Sequence, residues 1–472
     1  MGEIDVPARA YWGASTERAR RNFPLGGGPI PRALIHALGA IKAAAAREHQ
    51  QLALLEPEVG EAIARAADEV AAGTFDAEFV VDVFQTGSGT SSNMNANEVI
   101  ANRALELLGE PRGGRRVHPN DHVNLGQSSN DVFPSAVQLA LSLIAHDRLL
   151  PTLRALADRL HDLADRNFDV VKTGRTHLMD AMPIRFGQQL RGHAQQVERA
   201  AARIGQTLDG LGELPLGGTA VGTGVNAAAG AAAAICRRLA RESGVASLRE
   251  TSAHLQAQSA IDAVVEHSGA LRGLATALYK IANDLRWMAS GPLAGLAEIR
   301  LPSVQPGSSI MPAKVNPVIL ESLLMVCAQV IAHDQLVGFA NSQGQFELNT
   351  MLPVVARAAI ESSELLAAGC ANLDARCLAG LEAVAGSAAR VAHNPILATA
   401  LNAEIGYEAA AAIAKEAAAS GRSVLEVARE RTDLSRERLA VLLDPSVLCG
   451  ELGRARDADA ADRPRPDRPG QT

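Results

Sequence analysis

The chain has 472 residues, a formal net charge of −7, 47% hydrophobic and 21% charged residues. Such a mildly acidic balance gives no general field for nucleic acid or an anionic membrane, so neither is an expected partner, and an anionic ligand must be held by local groups. The length allows about three domains or one large helical assembly, and the abundance of alanine, the best helix former, favours long helices that approach closely.

Five cysteines (Cys236, Cys327, Cys370, Cys377 and Cys449) are odd in number and form no CxxC pair. Reduced thiols in a cytoplasmic protein are the simplest account. The opening residues MGEIDVPARAYWG lack the basic-then-apolar layout of a signal peptide, and no apolar run reaches the ~20 residues of a membrane span.

After the loop RNFPLGGGPIP, a helix is expected from near Arg32 through the alanine-rich Ile41–Ala46, and another over Glu56–Ala72. The polar block Gln85-Thr86-Gly87-Ser88-Gly89-Thr90-Ser91-Ser92-Asn93-Met94-Asn95 precedes a helical run, Ala96–Leu108. One or two of these groups suffice for an N-cap; the block holds far more. A third polar block runs Val117-His118-Pro119-Asn120-Asp121-His122-Val123-Asn124, then Gly126-Gln127-Ser128-Ser129-Asn130-Asp131. His118, Asp121 and His122 invite a metal reading, but a proline-broken loop fixes no ligand geometry and no further ligand motif accompanies them, so no metal is expected.

From Val132 helical periods dominate: Ala136–Leu150, Thr152–Asn167, Arg185–Leu211, Ala227–Ser243, Gln256–Met288, Val318–Gly338 and Ala356–Cys370. Pro151 is expected to end or kink the first. In the sixth, Leu320, Leu324, Cys327 and Ile331 share one face at helical spacing. No strong alternating strand pattern interrupts this region, so a bundle is expected. Within it lie Thr173-Gly174-Arg175-Thr176-His177-Leu178-Met179-Asp180-Ala181-Met182-Pro183, the glycine-rich Gly217–Gly224, and Lys280-Ile281-Ala282-Asn283-Asp284-Leu285-Arg286. No apolar strand precedes the glycine-rich stretch, which argues against nucleotide binding. After Ala385 come shorter helical pieces, including Asn402–Ala419, and a polar, proline-rich end for which disorder is expected.

The loop Gly307-Ser308-Ser309-Ile310-Met311-Pro312-Ala313-Lys314-Val315-Asn316-Pro317 stands between two helical runs. It puts an ammonium, an amide, two hydroxyls and the free N–H groups of a helix start in one place, which suits a small anion. GSSIMPAKVNP closely resembles the GSSxMPxKxN loop of the fumarase/aspartase superfamily. QTGSGTSSNMN resembles a block of class II fumarases, and GRTHLMDAMP, GGTAVGTG and KIANDLR resemble further blocks of the superfamily, the last read as mainly structural.

That resemblance implies a mainly all-α fold with a long central helix bundle, assembled as a homotetramer whose active sites are each built from three chains. The segments expected are 1–127, 128–385 and 386–456, with a disordered tail at 457–472. It implies Ser308 as base on a closing loop, and His177, set by Glu321, as the proton-handling residue on the other side. Ser88, Gly89, Thr90, Ser128, Ser129, Asn130, Thr176, Ser309, Lys314, Val315 and Asn316 are the implied substrate contacts. His118, Pro119, Asn120 and Asp121 form an implied peripheral anion site. No cofactor is implied. The implied chemistry is reversible addition across the double bond of fumarate, through a doubly charged carboxylate intermediate.

Two departures stand out: Ala313 and Gly126 replace a usual glycine and serine. QTGSGT, SSND and GGTAVGTG favour hydration of fumarate to L-malate. AGLAEI at Ala294–Ile299, QFELN at Gln345–Asn349 and the stretch Asn95–Gly109 suit an aspartate ammonia-lyase at least as well, and His254–Gln258 matches neither. The substrate-contacting blocks decide for fumarase; aspartase is second, a specialised succinate-type lyase third, and a non-catalytic helical scaffold the non-enzymatic alternative.

Overall fold

Alanine-rich runs punctuated every third or fourth position by larger aliphatic residues dictate helices with one buried face. In the computed structural model, which describes residues 2–384 and 387–452, these become α1 Ala14–Asn22, α2 Arg32–Gln51, α3 Pro57–Ala71, α4 Thr90–Leu107, α5 Ser129–Ile144 and α6 Leu150–Arg166. A hairpin follows, β1 Val171–Thr176 and β2 Met179–Arg185, then α7 Phe186–Leu211, α8 Ala231–Ser243, α9 His254–Ser259, α10 Asp262–Ala289, α11 Val318–Asn341 and α12 Leu352–Arg376. Shorter helices, among them Tyr407–Ser420 and Val424–Arg431, lie beyond. The mainly all-α class is the one expected. The expected tail at 457–472 lies outside the described residues.

The chain forms two compact units, each drawn from three stretches. The first takes Met1–Arg154, Arg199–Tyr279 and Ser322–Ala371; the second Ala155–Glu198, Lys280–Glu321 and Asn372–Thr472. In the first, Leu34, Leu38 and Ile41 of α2 share a core with Ile63 and Val70 of α3 and with Phe133 and Leu141 of α5. In the second, Val171 joins Leu397, Leu401, Ile413, Val427 and Leu439. Each such side chain contributes ~1.5–3 kcal/mol by leaving water.

Several local expectations are corrected. Pro151 does not end the helix: α5, a π turn at Ala145–Leu149 and α6 follow one another without a break, and the π turn just before the proline is the local irregularity that accommodates it. The single helix expected over Gln256–Met288 is split, because Ala260 is extended (φ −137°, ψ 132°). The buried stripe of α11 is Leu320, Leu323, Cys327, Val330 and Val337, whereas Leu324 and Ile331 are only half-buried. Contrary to the expectation that no apolar run is long enough, α11 could cross a membrane by length and composition. Its Asp334 nevertheless takes a 2.8 Å bond from Ser268 and a 3.1 Å contact from Arg272, and its His333 meets Ser362 at 3.1 Å, the contacts of a bundle helix.

Candidate active site

In the first unit, the polar blocks at 85–95 and 124–131 close on one another at the N-termini of α4 and α5. Ser88 Oγ and Thr90 Oγ1 are 2.7 Å apart, and Thr90 Oγ1 lies 2.6 Å from Ser129 Oγ. Three hydroxyls and two helix starts thus converge, an arrangement suited to a carboxylate. Gly89 makes the approach possible: it is left-handed (φ 73°), and a Cβ there would stand 2.2 Å from the buried Phe133 ring. Gly126 also has φ +64°, so the glycine that replaces the usual serine meets no steric cost.

Behind these hydroxyls lies a polar frame that the sequence reading missed. Asp131, fully buried, accepts from Ser128 N at 2.9 Å and, through its other oxygen, from Gly217 N and Thr219 N at 3.0 Å each. Asn130 Nδ2 donates to Ala220 O at 2.8 Å, so the glycine-rich stretch is strapped to the Ser128–Asn130 turn. Gln258 Nε2 donates to Thr219 O at 2.7 Å, Asn349 N to Gln258 O at 3.0 Å, and Leu352 N to Gly87 O at 3.0 Å. The segments at 254–258 and 345–349, equivocal in sequence, therefore brace the hydroxyl cluster rather than supply it. The signal for Asp131 was present: Ser128-x-x-Asp131 has capping-box spacing. Burial pushes the Asp131 carboxyl above its usual range against those three N–H groups. Burial likewise pulls the enclosed Lys42 ammonium down to about 7, partly offset by Asp131. Lys42 Nζ donates to Asn124 Oδ1 at 2.8 Å.

His118–Asp121 is ordered by itself. His118 Nδ1 accepts from Asp121 N at 3.2 Å, and His122 Nδ1 accepts from His118 N at 2.8 Å. His118, Asn120 and Asp121 are exposed, and Pro119 is half-buried. Among the described residues no group of three potential metal ligands gathers.

In the second unit, the stretch expected to lack strands is an antiparallel hairpin. Thr176 pairs with Met179, leaving His177 and Leu178 as a two-residue turn with φ 54° and 60°. Left-handed geometry at both positions is what a type I′ turn demands, and Asn-Gly normally supplies it. With His-Leu there the hairpin had no visible sequence signal, and the strain of ~1–2 kcal/mol per residue is of the kind held at functional sites. His177 and Thr176 are exposed. The side chains of His177 and Glu321 have no hydrogen-bond or ion-pair partner among the described residues, so this single chain does not pair them.

The Ser308 loop is closed at its neck: Asn316 Nδ2 donates to Gly307 O and Lys314 Nζ to Asn316 Oδ1, both at 2.7 Å. Ser308 Oγ accepts from Ile310 N at 3.3 Å and Met311 N at 3.2 Å. Ser309, Lys314 and Val315 are exposed. Ala313 has φ 69°, a left-handed position that the usual glycine takes freely and alanine only under strain.

With this geometry in place, relationships to known proteins are specific. A family described as "Lyase" matches residues 2–332, and one described as "Fumarase C C-terminus" matches 397–450. The chain is 50% identical over 449 residues to a class II fumarate hydratase of Xylella fastidiosa, covering 95% of this chain and 94% of that one. It is 49% identical over 425 residues to that of Corynebacterium glutamicum, covering 90% and 89%. A crystal structure of recombinant class II fumarase from Schistosoma mansoni superposes with a TM-score of 0.92 at 36% identity, covering 95% of this chain and 97% of that one. Hydroxyl blocks, loop and relatives agree, and the chain belongs to the class II fumarate hydratase family of lyases.

Proposed function

We propose that this chain is a hydro-lyase that interconverts fumarate and L-malate without a cofactor. The observation that carries the reading is the joined Ser88, Thr90 and Ser129 hydroxyls at two helix starts, in a chain 50% identical to a class II fumarate hydratase. In the dehydrating direction a base removes a proton from the carbon beside one carboxylate of L-malate. The electron pair spreads into that carboxylate, giving a doubly charged aci-carboxylate. Its return forms the alkene as the neighbouring hydroxyl departs, protonated, as water.

Ser308 is the base in this reading. A neutral hydroxyl is a poor base and the alkoxide is the form that takes the proton; the N–H groups of Ile310 and Met311 aimed at Oγ stabilise that alkoxide. Lys314, Asn316 and the N–H groups of Ser309 and Val315 receive the extra charge on the carboxylate; preorganised donors of this kind usually supply the largest catalytic term. Ser88, Gly89, Thr90, Ser128, Ser129, Asn130 and Thr176 seat the diacid. His177, oriented by Glu321, handles the proton on the opposite face.

The reading includes a homotetramer in which each site draws on three chains. Two observations support it. The side chains of His177 and Glu321 are unpaired among the described residues of their own chain, and Trp287, Met325 and Phe339 on the long helices α10 and α11 are 55%, 68% and 60% exposed, an arrangement that a partner's apolar face would cover. His118–Asp121 is a second anion site in the same reading, and free cysteines, four of them buried, fit a cytoplasmic setting.

The test is paired. Purified protein mixed with fumarate or L-malate should change absorbance as the conjugated alkene is lost or formed. Ammonia release from L-aspartate without malate turnover would assign the chain to aspartate ammonia-lyases instead. Turnover of neither would favour a specialised lyase or a scaffold.

A further inference from the structure

The base of the His177 hairpin holds a charge cluster with no part in the mechanism above. Glu298, its side chain 5% exposed, accepts from Arg175 through two prongs, at 2.6 and 3.1 Å, and meets Lys172 Nζ at 2.9 Å. Both cations lie on β1, and Arg175 is two residues before His177. Lys172 also donates to Gln189 Oε1 at 3.0 Å. The backbone of Glu298 is itself fixed: its N–H donates to Met288 O and its carbonyl accepts from Val384 N, both at 2.8 Å. The next two residues, Ile299 and Arg300, pair with Ala383 and Glu382, and the chain then enters the segment that carries Ser308.

A two-stranded ribbon is marginal in water on its own. Its tip here is a strained turn whose histidine has no side-chain partner among the described residues, so the aim of His177 depends on what holds the ribbon's base. Burial pushes the Glu298 carboxyl up, but Arg175 and Lys172 together hold it below its usual range, so it is an anion at neutral pH. A bidentate guanidinium–carboxylate pair fixes angle as well as distance.

We propose that Glu298 is a positioning residue for catalysis: by gripping Arg175 and Lys172 together, it fixes the strand that leads into the His177 turn against the segment that leads into the Ser308 loop. The acidic residue of Ala294–Ile299 thus acquires a role, and the proposal rests on the reading of His177 as the proton-handling group.

The experiment uses Arg175→Lys in the full-length assembly. The cation stays, so the carboxylate remains compensated, but the fork is lost. Misplacing a reacting group by about 1 Å costs up to ~100-fold in rate. We expect kcat to fall ~10–100-fold on that basis, KM for fumarate to stay near wild type, amide exchange at 176–179 to accelerate, and the unfolding midpoint to hold. Should Arg175→Lys fail to assemble, Glu298→Asp, which keeps the charge and shortens the reach, gives the same readings. Unchanged kcat, unchanged exchange at the turn, or a raised KM with kcat intact would overturn the proposal. His177→Asn is run in parallel. If it retains turnover, the reading of the histidine fails, while the exchange measurement still decides whether the clamp holds the turn.

Discussion

Replacing Gly89 by alanine tests how the hydroxyl cluster is built. Two penalties arise at one atom. Gly89 is left-handed at φ 73°, and its new Cβ would lie 2.2–2.4 Å from three ring carbons of Phe133, whereas carbon atoms rest at about 3.5–4.0 Å. The ring is fully buried, so it cannot swing into solvent. Left-handed alanine costs ~1–2 kcal/mol and overpacking ~1–3 kcal/mol. Alanine returns ~0.4–1 kcal/mol by stiffening the unfolded chain, leaving a net loss of about 1–5 kcal/mol. Gly230→Ala is the matched control: its φ is 76°, but a Cβ there meets nothing within 4 Å. It carries only the backbone term. Relief of the clash by parting α4 from α5 separates Thr90 from Ser129, so KM for fumarate should rise ~10-fold or more, about 1.4 kcal/mol of lost binding. Denaturant unfolding and initial rates of alkene loss measure both effects. Equal stability losses in the two variants with an unchanged KM would refute the reasoning.

Four other outcomes follow from the same geometry. Lys314→Ala should raise KM and lower kcat together if, as proposed, its ammonium serves bound diacid and intermediate alike; an unaffected rate would mean the loop is misread. Ala313→Val should depress kcat at least ~10-fold with little change in unfolding midpoint, since a β-branched residue at φ 69° is a severe outlier on a segment outside the core. Lys42 gives a pH signature. Its folded value of about 7 lies below the ordinary 10.5, so between those values the unfolded chain holds a proton that the folded chain lacks, and stability should rise with pH through that window. Lys42→Met should remove that part of the rise, and an unchanged slope would contradict the burial of the ammonium. Finally, burial pushes the thiols of Cys236, Cys327 and Cys377 up to about 12, so alkylation of the native protein at pH 8 should reach Cys449 first, as mass mapping would reveal.

The helices were legible because alanine-rich amphipathic runs have one stable solution, and the polar blocks were legible because each holds more hydroxyls and amides than capping uses. The failures share a cause: they depend on partners distant in sequence. The His177 hairpin has no Asn-Gly turn, so its tertiary base, not local propensity, makes it a hairpin. The roles of Gln258, Asn349 and Glu298 rest on bonds to residues far away in the chain, which spacing does not encode. Ala313 and Gly126 show the converse: their backbone angles, +69° and +64°, say at once which departure is strained and which is free.

In the proposed tetramer, the Ser308 loop of one chain acts on a diacid seated by the hydroxyls of another. Mixing subunits tests it most directly. Ser308→Ala and Thr90→Val, each expected to be inactive alone, are unfolded together and reassembled. If loop and hydroxyls come from different chains, about a quarter of the sites in randomly mixed assemblies regain both intact groups and hydrate fumarate. Mixtures as inactive as either parent, from assemblies shown to be hybrid, would contradict it.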